Sequence, residues 1–434
     1  MSSENPGLTG DQPDSIVADM AGPAHGGSVI ARHDGHVVFV RGALPGEQGV
    51  HIHLDPPGTS KKASRFRTGV AGRIGQPHPG RVDPQCSAAA AGAGCCDLDF
   101  VDPQGSAQFK RDVVIDQLSR IAKLAVDPHL VEVHTVAPFT GWRARVRLGV
   151  DKGGVIGLRA KNSHAIIPAS HHTCAQWHPD LAEKLSQALP QLASQVTPGA
   201  ELALALGDDG QLGCVEVTHH RGRPGKTRNL PGCAQTVTRQ LQLPGQPQGH
   251  TVTWELPVES FWQGHVNAPT QFAGWIANTL PAAAGDNAVI WDLYGGAGVF
   301  AAALHRHAAT VDSVDVASAS TEAGQQALKA AGVDSVRFVA GDVATTMGQL
   351  VQDGLLHAVV VDPPRTGMGR GVVDAIALHE PHHVIHVGCD PATAARDIKG
   401  WVDHGYHLEK LSVWDTYGLT HHVELIAHLT KAMS

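Results

Sequence analysis

From Ala288 onward the chain alternates short apolar runs with helix-length stretches, and no other feature restricts the fold as much. Runs at 288–293, 311–316, 335–339, 357–362 and 383–389 read as strands with helices between them, and β segments near 407–415 and 422–430 close the chain. This rhythm predicts an α/β, Rossmann-like, doubly wound sheet. In such a sheet ligands bind outside the carboxyl ends of the strands. Two of those ends deliver reactive groups to one crevice: Val359-Val360-Val361 runs into Asp362-Pro363-Pro364-Arg365, and Val384-Ile385-His386-Val387 runs into Gly388-Cys389-Asp390-Pro391.

The full 434 residues exceed one ordinary domain, and the length suggests about three. An apolar content of 42% is enough for real cores, and the absence of any run of ~18 apolar residues predicts no membrane span. The polar, acidic start MSSENPGLTGDQPDS lacks the opening of a secretory signal, so a disordered tail and a cytoplasmic location are expected. Seven cysteines in such a chain argue for reduced thiols, metal ligation or catalysis rather than a disulfide framework. The 28 histidines show no HExxH-like grouping. A formal net charge of −8 argues against a nucleic-acid partner, although a local basic face can bind phosphates on an acidic protein.

The strand Ala288-Val289-Ile290-Trp291-Asp292-Leu293 turns through Tyr294-Gly295-Gly296-Ala297-Gly298 into a helix. Glycines there let the backbone approach a ligand, and the turn presents free N–H groups. The spacing lacks the third glycine of G-x-G-x-x-G, which disfavours NAD. Asp315, near the end of the next strand, suits the two hydroxyls of a ribose. Gly341-Asp342, after the third strand, is placed to meet an adenine edge. In this order the set reads as a site for S-adenosylmethionine.

At the reacting end, Asp390 is a favoured N-cap and Pro391 a favoured first helical residue. Cys389 then sits beside a helix N-terminus, which favours the thiolate. The alternative is a buried, inert cysteine. Glu424 leads into the apolar strand Leu425-Ile426-Ala427, where an acid is expensive to bury unless paired or used. It is a candidate base; the alternative is an exposed acid at a strand start.

The combination DLYGGAGVF, VVDPPRTGMG, HVGCDPATAARD and THHVELIAHL resembles the RNA 5-methyluridine (uracil-5-) methyltransferase family, in the family's own order. The segment GGSVIARHDGHVVFVRGALPGE resembles the family's N-terminal TRAM domain, and FKRDVVIDQLSRI its helix after a cysteine loop. The stretch from Ser260 to Asn267 is similar to the family's S-F-F-Q-x-N segment, with one extra residue before Asn267. The resemblance implies Cys389 as nucleophile and Glu424 as base, with Gln263, Tyr294, Gly295, Gly296, Asp315, Asp342 and Asp362 lining the cofactor and reaction site. Asp315 stands where the family usually has Glu, and Gly295 where many members have Cys. It also implies a [4Fe–4S] cluster on Cys86, Cys95, Cys96 and Cys174, but the family's C-G-G-C has become Ala93-Gly94-Cys95-Cys96, so the loop either holds a cluster or packs without metal. Cys214 and Cys233 read as ordinary thiols.

The expected division is a disordered tail at 1–20, a small β-barrel of the oligonucleotide-binding kind at 21–75, a mixed α+β central domain with the cysteine loop at 76–255, and the methyltransferase sheet at 256–434. Any other small β-barrel would show the same pattern. A helix is expected from Phe109 to Leu124, with Val113, Val114, Leu118, Ile121 and Ala122 on one face. Three basic patches could meet RNA phosphates or merely face solvent: Lys61, Lys62, Arg65, Arg67 and Arg73; the alternating Arg143, Arg145 and Arg147; and Arg221, Arg223, Lys226 and Arg228. An exocyclic-amine methyltransferase would show an aromatic residue where Arg365 stands, and a cytosine-5 enzyme would show Pro-Cys where Asp362-Pro363-Pro364 lies. A non-catalytic RNA-binding or iron–sulfur scaffold is opposed by the intact Cys389 and Glu424. The expected partner is RNA, ribosomal in preference to transfer RNA, and the expected state is a monomer.

Overall fold

The computed structural model describes residues 15–56, 66–220, 223–245, 250–283, 287–350 and 355–431. The chain forms two compact units, 1–82 and 83–434, so the central and methyltransferase segments are not separate bodies. In the first unit a six-stranded sheet has Ser15–Ala18 and Met20–Ala24 at the two ends of its strand order. Only Asp19 separates these strands in the chain, so the sheet must curl until its edges meet, as in a small barrel. The alternating residues Val29 and Ala31, Val38 and Val40, and Val50 and Ile52 are buried. Asp34 and Gly35 both have positive φ and close the expected hairpin. Ser15–Ala18 corrects the expectation of a disordered tail through residue 20, because its backbone pairs with Val50–Leu54. Lys61, Lys62 and Arg65 lie outside the described residues, Arg67 is half-buried and Arg73 exposed.

Among the described residues the second unit contains three sheets. The large one has eight strands: β1 (Val131–Thr135), β2 (Ala288–Leu293), β3 (Thr310–Asp315), β4 (Val336–Ala340), β5 (Leu355–Val361), β6 (His383–Gly388), β7 (Tyr406–Asp415) and β8 (Glu424–Lys431). Their spatial order is β4-β3-β2-β5-β6-β8-β7-β1. Strands β2 to β6 run parallel, as the alternation predicts; β2, β5 and β6 are almost wholly buried, whereas β4, at the edge, is only partly so. The order reverses between β2 and β5, which creates the crevice where such sheets bind ligands. Only β8 runs antiparallel to its neighbours. Its first residue, Glu424, therefore lies at the same rim as the last residues of the parallel strands; its neighbour Leu425 pairs with Gly388, next to Cys389. β1, expected in the central domain, pairs in parallel with β7 and forms an edge of this sheet.

The helix against this edge starts at Pro103, not Phe109. Asp102 caps it, its carboxylate accepting the Gly105 N–H at 2.7 Å, with Pro103 at the first position. The helix buries Lys110 completely. Its ammonium pairs with the equally buried Asp415 and donates to the Tyr417 carbonyl at 3.0 Å. Removing one partner of a buried pair strands the other charge, so Lys110→Ala is expected to lose about 3–5 kcal/mol of stability. Denaturant unfolding checks this; a change within experimental error would mean that the pair contributes no net stability.

The remaining sheets are a six-stranded antiparallel one, including Arg145–Val150, Glu201–Leu206 and Leu212–His220, and a hairpin of Thr236–Gln242 and Thr251–Pro257. Cys214 and Cys233 form a disulfide, which corrects the reading of both as free thiols. The sequence spacing carried no sign of it. The chain returns beside strand Leu212–His220 after residue 229, where Cys214 N–H donates to Ala234 O at 3.0 Å. Among the described residues no helix is long and apolar enough to cross a membrane.

Candidate active site

The turn after β2 is fixed from below by two carboxylates. Asp292 accepts from the Ser313 hydroxyl at 3.0 Å and the Ala301 N–H at 3.3 Å, and complete burial pushes its pKa up to about 7. Asp315 accepts from Gly296 N–H at 3.0 Å and Ala317 N–H at 2.7 Å, which aims the glycine turn along the end of β3. Tyr294 takes a φ of 63°, a left-handed conformation that non-glycine residues adopt at a cost. Its hydroxyl donates to Met368 O at 3.0 Å. A Cβ on Gly295 would lie 2.4 Å from Asp292 Oδ2, so this turn has no room for a side chain there.

The loops after β5 and β6 are tied to each other. Asp390 caps the helix Pro391–Asp403, accepting from Ala392 and Thr393 N–H at 3.1 and 2.9 Å. From that helix, the Thr393 hydroxyl donates to Arg365 O at 3.0 Å, and Asp397 accepts the Met368 N–H at 2.8 Å. Gln263 donates to Asp362 at 3.2 Å.

One cavity of about 580 Å³ brings these ends together. Its walls include Gln263, Tyr294, Gly296, Asp315, Asp342, Asp362, Cys389 and Glu424. Gly295 borders a small adjoining cavity of about 30 Å³ instead, together with Tyr294 and Gly296. Asp342 has a second task, capping the short helix Val343–Thr346. Sequence reading did not single out Tyr417 and Phe261, which also line the cavity. The Tyr417 hydroxyl donates to Glu424 Oε1 at 2.9 Å, while Glu424 Oε2 is buried without a hydrogen-bond partner among the described residues. Tyr417 lies in the same motif as Glu424, but only the fold shows that it points back at the acid.

The acids crowd one another. Burial, reinforced by Asp362, pushes Glu424 up to about 8. Burial, with Asp292 and Asp315 adding, holds Asp362 at about 7. Cys389 was expected to be acidified by its helix N-terminus; burial and the charges of Glu424 and Asp362 instead push it up to about 12, against a smaller opposing effect of Arg365. With Glu424 and Asp362 pushed up mainly by burial and further by neighbouring acids, the cavity is one in which a cationic ligand would favour their ionised forms.

A cleft of about 500 Å³ adjoins this cavity, sharing Phe261, Arg365 and Tyr417 with it. Arg143, Arg145 and Arg147 all line the cleft, as their period-two spacing predicts. Arg145 is already engaged, donating to the carbonyls of Trp262 and Val258 at 3.3 and 3.2 Å. Arg143 stacks 4.7 Å above the Trp142 ring, and Arg147 is exposed, 3.6 Å from Glu201. In the third basic patch Arg228 is bound by Glu216 at 2.6 Å and Lys226 is exposed; Arg221 lies outside the described residues.

The sulfurs of Cys86, Cys95, Cys96 and Cys174 all lie within 4.8 Å of one another. Four thiols suit a thiophilic metal. Their separations do not suit a [4Fe–4S] cube, in which each thiolate binds its own iron and the irons hold the sulfurs apart.

The tRNA (uracil-5-)-methyltransferase family model matches residues 234–432. An uncharacterized RNA methyltransferase of Corynebacterium efficiens is 40% identical over 96% of this chain and 95% of its own length. A 23S rRNA (uracil(1939)-C(5))-methyltransferase of Alkalilimnicola ehrlichii is 28% identical over 94% of this chain and 95% of its own. Among solved structures, the Pyrococcus abyssi tRNA (uracil-54, C5)-methyltransferase in complex with S-adenosyl-L-homocysteine superposes with a TM-score of 0.67 at 19% identity, covering 96% of this chain and 100% of that one, a likeness of fold. With a relative this similar along nearly the whole chain, and a uracil-5 family model on the part that holds the cavity, the chain belongs to the RNA (uracil-5-)-methyltransferase family.

Proposed function

We propose that this enzyme methylates carbon 5 of a uridine in 23S ribosomal RNA through a covalent adduct on Cys389. The observation that carries this reading is the single cavity joining Cys389, Glu424 and the glycine turn beside Asp315. Carbon 5 of uracil is a poor nucleophile. The Cys389 thiol gives up its proton to solvent and the sulfur bonds carbon 6; the C5–C6 π electrons move into an enolate, which makes carbon 5 nucleophilic. S-adenosylmethionine supplies the methyl group on a cationic sulfur, and the crowded acids of the cavity suit a ligand of that charge. Asp315 would hold its ribose, Asp342 its adenine edge, and Gln263, Tyr294, Gly296 and Asp362 the rest. After transfer, Glu424 Oε2 takes the proton from carbon 5, the electrons of that C–H bond form the C5–C6 double bond, and the C–S bond breaks with its electron pair leaving on Cys389 as the thiolate. The target base must leave its stack to enter the cavity.

Ribosomal RNA is favoured because the relative named for that substrate aligns along nearly the full length of both chains. RNA would run along the arginine cleft, with the N-terminal barrel serving as a TRAM-like accessory. Neutralising Arg143 and Arg147 together is expected to weaken RNA binding and reduce the slope of log affinity against log salt by roughly 1.4. An unchanged slope would remove both from the phosphate contacts. The reading as a whole is tested by incubation with 5-fluorouridine RNA, where a stable protein–RNA adduct is expected because fluorine cannot leave as a proton does. Mapping 5-methyluridine in ribosomal and transfer RNA from a deletion strain then identifies the substrate; loss from transfer RNA alone would overturn the ribosomal assignment.

A further inference from the structure

The reaction above makes no use of the four cysteines. Cys86 caps the short helix Ser87–Ala90, Cys95 and Cys96 follow that helix, and Cys174 arrives from beyond the strand Ile166–Pro168. Cys86 and Cys95 place their sulfurs 3.7 Å apart, and Cys96 and Cys174 theirs also 3.7 Å apart. Four thiolates about 2.3 Å from a single ion, at tetrahedral angles, stand about 3.8 Å from one another. The Gln176 side-chain amide donates to Cys96 Sγ at 3.2 Å, the kind of outer hydrogen bond that orients a ligating thiolate. Three of the four cysteines are buried, and the fourth is half-buried.

We propose that Cys86, Cys95, Cys96 and Cys174 bind one tetrahedral zinc ion, in place of the iron–sulfur cube that the family resemblance implies. Each thiol gives up its proton on binding, so the site forms more readily as pH rises. The ion has a structural task. The two residues after Cys96 hold the segment that leads into β8: Asp97 accepts from His421 N–H at 3.0 Å, and Leu98 N–H donates to Leu419 O at 3.0 Å. Zinc thereby braces the loop that carries Tyr417 and ends at Glu424.

Metal and acid-labile sulfide are to be measured on the full-length chain, prepared anaerobically from cells supplied with both zinc and iron. One zinc per chain, with no labile sulfide and no broad visible absorption, is the expected result. Replacement by cobalt should give the intense visible bands of tetrahedral tetrathiolate coordination. Four irons with four sulfides per chain would overturn the proposal, and so would metal-free protein. Chelation should accelerate hydrogen exchange over residues 416–423; unchanged exchange would remove the bracing role. Cys95→Ser is expected to lose the metal, and cobalt loading of the unaltered chain gives the same answer if that variant fails to fold. None of these readouts depends on methyl transfer.

Discussion

Cys389→Ala is expected to lower methyl transfer by about 10⁴-fold or more while leaving cofactor affinity unchanged. Without the sulfur there is no adduct, and carbon 5 stays too electron-poor to take the methyl. The surrounding frame should survive, because Asp390 still caps the following helix and Thr393 still ties it to the Arg365 carbonyl. Single-turnover transfer to RNA, run alongside calorimetric titration with S-adenosylmethionine, checks both halves. Turnover near the wild-type rate would remove the thiol from the mechanism. The thiol is not poised in the free protein, since burial and two neighbouring carboxyls push it up to about 12. Its activation therefore belongs to the filled cavity, where a cation and the Arg365 guanidinium offset those charges.

Glu424→Gln is expected to cut turnover by about 10²–10⁴-fold and to let the covalent protein–RNA species accumulate, because the amide cannot accept the hydrogen of carbon 5. Denaturing electrophoresis with labelled RNA reads the adduct directly. Normal turnover without adduct would strip Glu424 of its role. The acid titrates at about 8, so the fraction able to act as base rises nearly tenfold per pH unit below that value and levels off above it. Breakdown of the methylated adduct should accelerate from pH 6 to pH 8 and then reach a plateau. Tyr417, which donates to Glu424 Oε1, steadies the ionised form and leaves Oε2 for the proton.

What the sequence showed and what it hid follow one physical division. Strands β2, β5 and β6 were legible because each is a mostly apolar run with glycine or proline at or just after its end, β3 and β4 followed from the strand–helix rhythm, and their ends could be assigned to a rim by topology alone. The cap on the Pro391–Asp403 helix was legible because it is local. The acidity of Cys389 was not, because the carboxyls that oppose the helix end come from β5 and β8, strands whose proximity only the sheet establishes. The same holds for Lys110, whose partner Asp415 is over three hundred residues away in the chain, and for Tyr417 turning back on Glu424. The Cys214–Cys233 bond likewise joins segments that no spacing rule connects, whereas the convergence of Cys174 on the cysteine loop was implied by the family resemblance. Arg145 fits its expected face yet spends its hydrogen bonds on the backbone of a neighbouring loop, a distinction that alternation cannot make.

The edge strand Val131–Thr135 gives the protein an architecture that resists dissection. A fragment cut at the boundary expected near residue 256 would keep the whole catalytic rim but leave Tyr406–Asp415 as a bare border of unpaired amides and carbonyls. Such a border invites self-association. Shuffling this catalytic half onto another RNA-binding front end therefore requires that the grafted partner bring its own strand to finish the sheet.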